Sequence, residues 1–381
     1  MSKLSNVSCY VTEKISVDSI DISEYITTDN LLQNKKGRVI AEKLPTQKVT
    51  RFKKNDILIA NIRPYLKKIW QADIDGGASS DVLVVRPNDV IDNNFLYYAL
   101  TQDSFFEYVM KGSKGTKMPR GDKSQIMDFV IPNLEIDEQI KIGKLLKSID
   151  QKIQINNQIN QELEAMAKTL YDYWFVQFDF PDQNGKPYKS SGGKMVYHPE
   201  LKREIPEGWG VESVGNLLDK VTKAEKIENN SIEFIGEIPV IDQSQKYIAG
   251  FTNNEKALLQ PQDGHVIFGD HTRVVKYINF DYARGADGTQ VLISNNENIS
   301  NVLLYHMIED FDLSNYGYAR HFKFLKEKTV IVPDKEVSSK FETQANVIYE
   351  KIKNNIFENQ ELTQLRDWLL PMLMNGQVKV E

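Results

Sequence analysis

Apolar residues recur at steps of three and four in two long stretches of the chain. In the first they fall at Ile142, Leu146, Ile149, Ile153, Leu163, Met166, Leu170 and Trp174. In the second they fall at Phe341, Ala345, Ile348, Ile352, Ile356, Leu362, Leu369 and Met372. Such spacing lays one apolar stripe along a helix. After Pro132 and after Pro333 the chain runs for about forty residues without proline, which predicts helices ~60 Å long at about 1.5 Å per residue. A helix of that length needs a partner along it. Polar breaks in the stripe match as well, with Asn156 and Asn160 in one helix and Asn355 and Asn359 in the other. An asparagine in a helical seam costs stability and fixes register; solvated asparagines are the plainer alternative. The simplest arrangement makes the two helices partners in one coiled coil. The stripe alone leaves their relative direction open.

The helices sit in a larger repeat. The tetrapeptide NQEL occurs at Asn160–Leu163 and again at Asn359–Leu362, 359 − 160 = 199 residues on. Each helix follows a β-branched run ending in proline, Ile131-Pro132 and Val332-Pro333. Ahead of these lie NDILIANIRPYLKKIWQADIDGGASSDVLVV (55–85) and GHVIFGDHTRVVKYINFDYARGADGTQVLIS (264–294). Both read as strand, basic turn, strand, glycine-containing turn, strand. A constant offset of 208–209 pairs Ile57 with Val266, Lys67 with Lys276 and Ala78 with Ala286. The expected fold is α/β (α+β): two mixed domains with twisted sheets and two long helices, as a tandem repeat. The expected boundaries are 1–131, 132–200 (long helix plus linker), 201–333 and 334–381. Between the halves, FDFPDQNGKPYKSSGGKM is rich in Pro, Gly, Ser and charge and predicts a linker with little regular structure. Trp209, in IPEGW, is expected in the core of the second domain.

Bulk numbers narrow the class. A chain of 381 residues suits two or three domains. It is 41% hydrophobic and 26% charged, as in soluble globular proteins. No apolar run approaches the roughly 20 residues needed to span a bilayer, and no signal-peptide core is visible. The single cysteine, Cys9, excludes an internal disulfide and fits a reducing cytoplasm. Net charge is −6, unevenly spread. Residues 1–130 carry 19 basic and 16 acidic groups, and residues 201–335 carry 15 and 20. Nucleic-acid binding would have to use local patches.

Catalytic signatures are missing from the sequence: there is no phosphate loop, no HExxH, no G-x-S-x-G elbow and no Pro-Pro pair. GDHTR (269–273) places Asp270 beside His271, the one pairing that suggests acid–base work. Its counterpart ANIRP has neither residue. Recognition chemistry is better represented. Asn61, Arg63, Lys67 and Lys68 cluster on the first strand–turn, and Lys111, Lys114, Lys117 and Arg120 on a Gly-rich basic loop. His271, Thr272, Arg273 and Lys276 occupy the second strand–turn, and Tyr318, Arg320, His321 and Lys323 fall in NYGYARHFK. Basic groups neutralise phosphates, and Arg, Asn and Thr read base edges. Any one cluster could be a solvated face; matched clusters in both halves favour DNA.

At these residues the sequence resembles the DNA-specificity subunits of type I restriction-modification systems. The most specific stretches are LLKSIDQKIQINNQINQELEAMAKTLYDYWFVQFDF, GKPYKSSGGKM and IPEGWGVESVGNLL, with NQELTQLRDWLLPMLMNGQVKV nearly as telling. The resemblance covers essentially the whole chain. It implies target-recognition domains at about 1–131 and 201–333, each reading half of a split site in double-stranded DNA. It implies that the helices pack antiparallel as a ruler, with pseudo-twofold symmetry. It implies a non-catalytic subunit that recruits two methyltransferase subunits and two restriction (motor-nuclease) subunits, in a bacterial or archaeal cytoplasm at the nucleoid. Those partners, rather than this chain, would use S-adenosylmethionine, ATP and Mg. Leu170, Tyr171, Tyr173, Trp174 and Phe175 form the expected partner-docking patch, with Trp368 and Leu369 of the second helix. A stand-alone nuclease and a coiled-coil protein with no DNA role are the rival readings.

Overall fold

The computed structural model describes residues 1–219, 221, 224–285, 287–317 and 320–380. Contacts group the chain into two units, one of Met1–Ile155 with Glu358–Glu381 and one of Asn156–Phe357. Each unit takes one end of both long helices, Ile136–Tyr171 and Lys335–Met374.

In the first unit, one four-stranded antiparallel sheet has the order Ser8–Tyr10, Val82–Pro87, Ile57–Ala60, Ile69–Gln71. A second sheet has the order Lys14–Ile15, Val49–Phe52, Gly76–Ala78, Tyr25–Ile26, and its last pair is parallel. The strand ILIA is apolar at every position because both its faces are covered. Leu58 and Ala60 join Trp70, Val82 and Val84 against Ile26, Phe52 and Ala78 of the second sheet. Ile57 and Ile59 point the other way, onto Phe95, Leu96, Phe105 and Phe106 of helices Asn93–Thr101 and Asp103–Lys111. That same cluster takes Ile142 and Leu146 from the first long helix and Leu370, Leu373 and Met374 from the second.

The second unit repeats this plan. Its antiparallel sheet has the order Leu218–Asp219, Thr289–Ser294, His265–Gly269, Val275–Ile278. Its other sheet runs Gly250–Thr252, Ile238–Ile241, Tyr282–Arg284, Leu258–Leu259. Alternation is conserved in space: Ile267 faces the second sheet, while Val266 and Phe268 face helix Asn301–Ile308 and the long helices. The units differ at the sheet edge. In the first, the extra strand Lys14–Ile15 pairs with the strand antiparallel to the central one. In the second, Gly250–Thr252 pairs instead with the strand parallel to it.

Within each unit the long helices run antiparallel. In the first unit Arg366 Nη1 lies 2.7 Å from Asp150 Oδ1, and Lys379 lies 3.9 Å from Glu138. In the second, Asn355 Nδ2 donates to Asn160 Oδ1 at 2.8 Å, and the Phe341 ring sits 5.2 Å from that of Phe175. Asn160 and Asn355 are buried, so these asparagines belong to a seam. The stripe itself is shifted in places. Met166 is 59% exposed and its neighbour Ala167 is buried, while Leu370 and Leu373 are buried where Leu369 and Met372 were expected.

The linker has little regular structure over 177–194, as expected, but it is packed and not a loose connector. The first long helix ends in a π-turn, Asp172–Val176, and the chain then folds back into the second unit's core. Phe180 stacks on Tyr188 at 4.6 Å and on Trp209 at 5.0 Å, and Phe178 meets Trp209 edge-on. Asp179 accepts from both the amide and the hydroxyl of Ser190. A hairpin of Met195–His198 and Arg203–Pro206 follows. Polar composition concealed an aromatic stack spaced along the segment. No helix among the described residues is long and apolar enough to cross a membrane.

Candidate functional site

The first basic strand–turn and the Gly-rich basic loop, distant in sequence, are joined in the structure. Gly121 N–H donates to Asn61 C=O at 3.1 Å, and Arg63 N–H donates to Pro119 C=O at 2.8 Å. Arg120 exchanges two backbone bonds with Lys114. A Cβ at position 121 would lie 2.9 Å from Asn61 Oδ1, so glycine permits the approach. Asp122 then caps helix Lys123–Met127, and the amides of Gln125 and Ser124 hold its carboxyl below the usual carboxylate range. The junction leaves Arg63, Lys111, Lys114, Lys117 and Arg120 exposed. Arg120 sits 3.1 Å from Asp81.

Other members of the expected set do structural work. Asn61 is buried at the foot of the hairpin. Lys68 donates to Thr28 C=O at 2.5 Å, and burial lowers its pKa. Lys67 bonds Asp103, which also holds Lys35. Burial pushes the Asp103 carboxyl up, and the bonds from Lys35 and Lys67 more than reverse this, so its pKa lies below the ordinary value.

The second unit builds the same junction from different residues. His321 N–H donates to Asp270 C=O at 2.9 Å, and Phe322 N–H donates to Asp270 Oδ1 at 2.9 Å. Asp270 is therefore the counterpart of Asn61 (270 − 61 = 209), and His321 of Gly121 (321 − 121 = 200). It follows that Arg320 is the counterpart of Arg120. Both arginines are exposed, and Arg320 adds to the positive field, led by Lys226, that lowers the Asp287 pKa. The Asp270 carboxylate caps a helix, and His321 is buried; Asp270 and His271 form no acid–base pair. Tyr318 lies outside the described residues. Lys323 is exposed on helix His321–Lys326.

The pairing of Lys67 with Lys276 does not survive. Register pairs Ile59 with Ile69, and Phe268 with Val275. The offset thus falls from 268 − 59 = 209 to 275 − 69 = 206, so the second hairpin is three residues shorter. Lys276 then matches Trp70, and Arg273 matches Lys67. Lys276 is buried, donating to the carbonyls of Asp242 and Lys246, and burial lowers its pKa to about 8 against the pull of Asp242. Lys67 and Arg273 both hold left-handed backbone, with φ of 51° and 64°. Such conformations in residues with a Cβ cost roughly 1 kcal/mol each and cluster at ligand clamps. At the second tip, Thr272 Oγ1 donates to Gln243 C=O at 2.6 Å, and His271 N–H donates to Gln243 Oε1 at 3.1 Å. His271, Thr272 and Arg273 are exposed.

The expected docking patch divides in two. Trp174 and Phe175 are buried in the second unit's own core, with Leu170 and Tyr171 packed against it. Tyr171 stacks on the buried His306, whose ring nitrogens face Glu309 and Tyr349. The π-turn turns these aromatics inward. Tyr173 is 38% exposed and Trp368 is 59% exposed, whereas Leu369 packs partly buried in the first unit. Exposed apolar side chains that the expected patch left out include Met166 and Val176 in the second unit and Leu365 in the first. Also missed were Asn34 and Lys35, whose amides bond the carbonyls of Leu66 and Lys67. The turn signal NKKG was their only trace.

Comparison with known proteins gives consistent matches. The type I restriction modification DNA specificity domain family matches residues 11–165. The chain is similar to the type I restriction enzyme MjaIX specificity subunit of Methanocaldococcus jannaschii, 26% identical over 326 residues, 78% of this chain and 72% of the relative. It is similar to the HindI specificity subunit of Haemophilus influenzae, 23% identical over 462 aligned residues, 98% of either chain. In fold it resembles the type I restriction-modification S subunit from M. genitalium, with a TM-score of 0.58 at 16% identity, covering 98% of this chain and 95% of that one.

Proposed function

We propose, on the premise that this chain belongs to the type I restriction-modification specificity subunits, that its two units each read one half of a split DNA site. The observation that carries this is the repeated junction. In both units a basic loop is bonded to the foot of a hairpin, at Asn61 and Gly121 and again at Asp270 and His321. Each junction leaves exposed cations beside it, Arg63, Lys114, Lys117 and Arg120 in one, Arg273, Arg320 and Lys323 in the other. A two-stranded ribbon fits the major groove, where all four base pairs are distinguishable. The buried residues Asn61, Lys276 and His321 support the hairpins and leave contact to their exposed neighbours.

The subunit does no chemistry itself and acts with methyltransferase and restriction subunits, two of each, on double-stranded DNA. Those partners bring S-adenosylmethionine, ATP and Mg. The recognition domains span about 1–131 and 201–333, and the paired helices set the distance between half-sites. Met166, Tyr173 and Val176 in one unit and Leu365 and Trp368 in the other are the apolar anchors for partners. The test is long-read sequencing of modified bases in cells with and without the gene. A split motif methylated in both halves should vanish on deletion. An unchanged pattern, with the methyltransferase present, would overturn the reading.

A further inference from the structure

Among the described residues, eight that are not glycine have left-handed backbone. Four of them meet at one hairpin tip: Asn34, Lys35, Arg63 and Lys67, with φ of 56°, 63°, 53° and 51°. The amides of Asn34 and Lys35 donate to the carbonyls of Leu66 and Lys67, both at 2.9 Å. From the other side, Arg63 N–H donates to Pro119 C=O. Asp103 bonds Lys35 and Lys67 together at 2.9 Å each. Pro64 is buried, and Lys68 fixes Thr28. The tip is thus bound to three separate segments, and of its own basic residues Lys67 and Lys68 are committed while Arg63 is not. Arg63 is exposed, and its guanidinium forms no hydrogen bond or ion pair with another described residue. Two residues on, Tyr65 is 50% exposed.

Backbone phosphates are served well by mobile lysines, because a point charge tolerates loose geometry. Strain held by three anchors has no use there. A planar fork that must meet two base-edge acceptors at once does need a fixed support. We propose that Arg63 and Tyr65 are the base-reading element of the first unit. Arg63 takes the edge of a guanine in the groove, and the Tyr65 ring packs on the neighbouring base. Lys114 and Lys117 contact phosphate. Asn34, Lys35, Lys67 and Asp103 are positioning residues. The assignment rests on the half-site reading above and names which atoms do the reading.

The experiment measures binding of the chain, purified with its methyltransferase partner, to duplexes bearing the methylated motif and each single-base change in it, over a range of salt. For Arg63→Ala and Tyr65→Ala, base preference should fall about tenfold at one or two positions of one half-site, with the other half unchanged. Because Tyr65 is uncharged, Tyr65→Ala should leave the salt slope as it was. Lys117→Ala should reduce that slope by about one and weaken all sequences alike. Tyr65→Phe should retain the preference, which separates loss of the ring from loss of the fold. Preference unchanged in Arg63→Ala and Tyr65→Ala, while the wild type still prefers the split site, would overturn this assignment alone. A wild-type complex with no preference for a split site would overturn the half-site reading, and this assignment with it.

Discussion

The two hairpin tips are built on one plan and stiffened by different means. The first is three residues longer and is clamped by ion pairs and by a second loop of left-handed residues. The second is short and is held by one residue, Gln243, whose side-chain oxygen accepts from the His271 amide and whose backbone carbonyl accepts from the Thr272 hydroxyl. At the base of the second hairpin, Lys276 replaces Trp70, so a buried ammonium stands where the first unit has an indole. The frame that supports a hairpin is held constant while the surface it presents differs. Two half-sites of unrelated sequence, as proposed above, would call for such an arrangement.

The largest expected effect tests whether each unit is stabilised by its own core. Phe341 is buried among Tyr171, Trp174, Phe175 and His306. Phe341→Ala should cost about 3–5 kcal/mol. Peptide-resolved amide exchange should show the loss in Asn156–Phe357 with the strands of the first unit still protected. Equal loss in both units would remove the basis for comparing them.

Next is the buried ammonium. Lys276 has a folded pKa of about 8 against 10.5 when unfolded, so the unfolded chain binds more protons between those values and stability rises with pH there. The gain is on the order of 2 kcal/mol, allowing for partial relaxation of the site. It should appear as a difference between wild type and Lys276→Met in denaturant midpoints from pH 8 to 10. Parallel curves would show that the ammonium carries no burial cost.

A smaller effect concerns the helical seam. Asn160→Ala strands the Asn355 amide and should cost about 1–3 kcal/mol, while the double change to leucine should recover most of it. Failure of the double variant to recover would mean that the asparagine pair is worth more than apolar packing.

Smallest is the surface clamp of the first tip. Asp103 stays ionised to lower pH in the fold than out of it, so its contribution is present above about pH 4 and is lost as pH falls through the lower folded value. Its side chain is 57% exposed, and screening limits Asp103→Asn to about 0.5 kcal/mol. Faster exchange at the Lys35 and Lys67 amides is the readout; no change there would show that the backbone bonds alone hold the tip.

Much of the architecture was legible in the sequence. The long helices were plain because a stripe of period 3.6 over forty residues has few alternatives. The repeat was legible through NQEL and the two strand–turn–strand runs. Individual site residues were not. Whether a lysine on a strand faces solvent or two carbonyls is decided by elements distant in sequence, as Lys276 shows with Asp242 and Lys246. A fixed offset cannot register a three-residue deletion inside a hairpin, and so Lys67 was matched to the wrong partner. The loop at Asn34 and Lys35 carried no periodic signal, and its role depends on carbonyls thirty-two residues away (66 − 34 = 32).

The most direct test of the central claim is the methylation motif of cells carrying Arg273→Ala in place of the wild-type gene, read by long-read sequencing. The account predicts altered base preference in one half of the split motif, with the other half and the spacing between them unchanged. Equal change in both halves, or a new spacing, would contradict it.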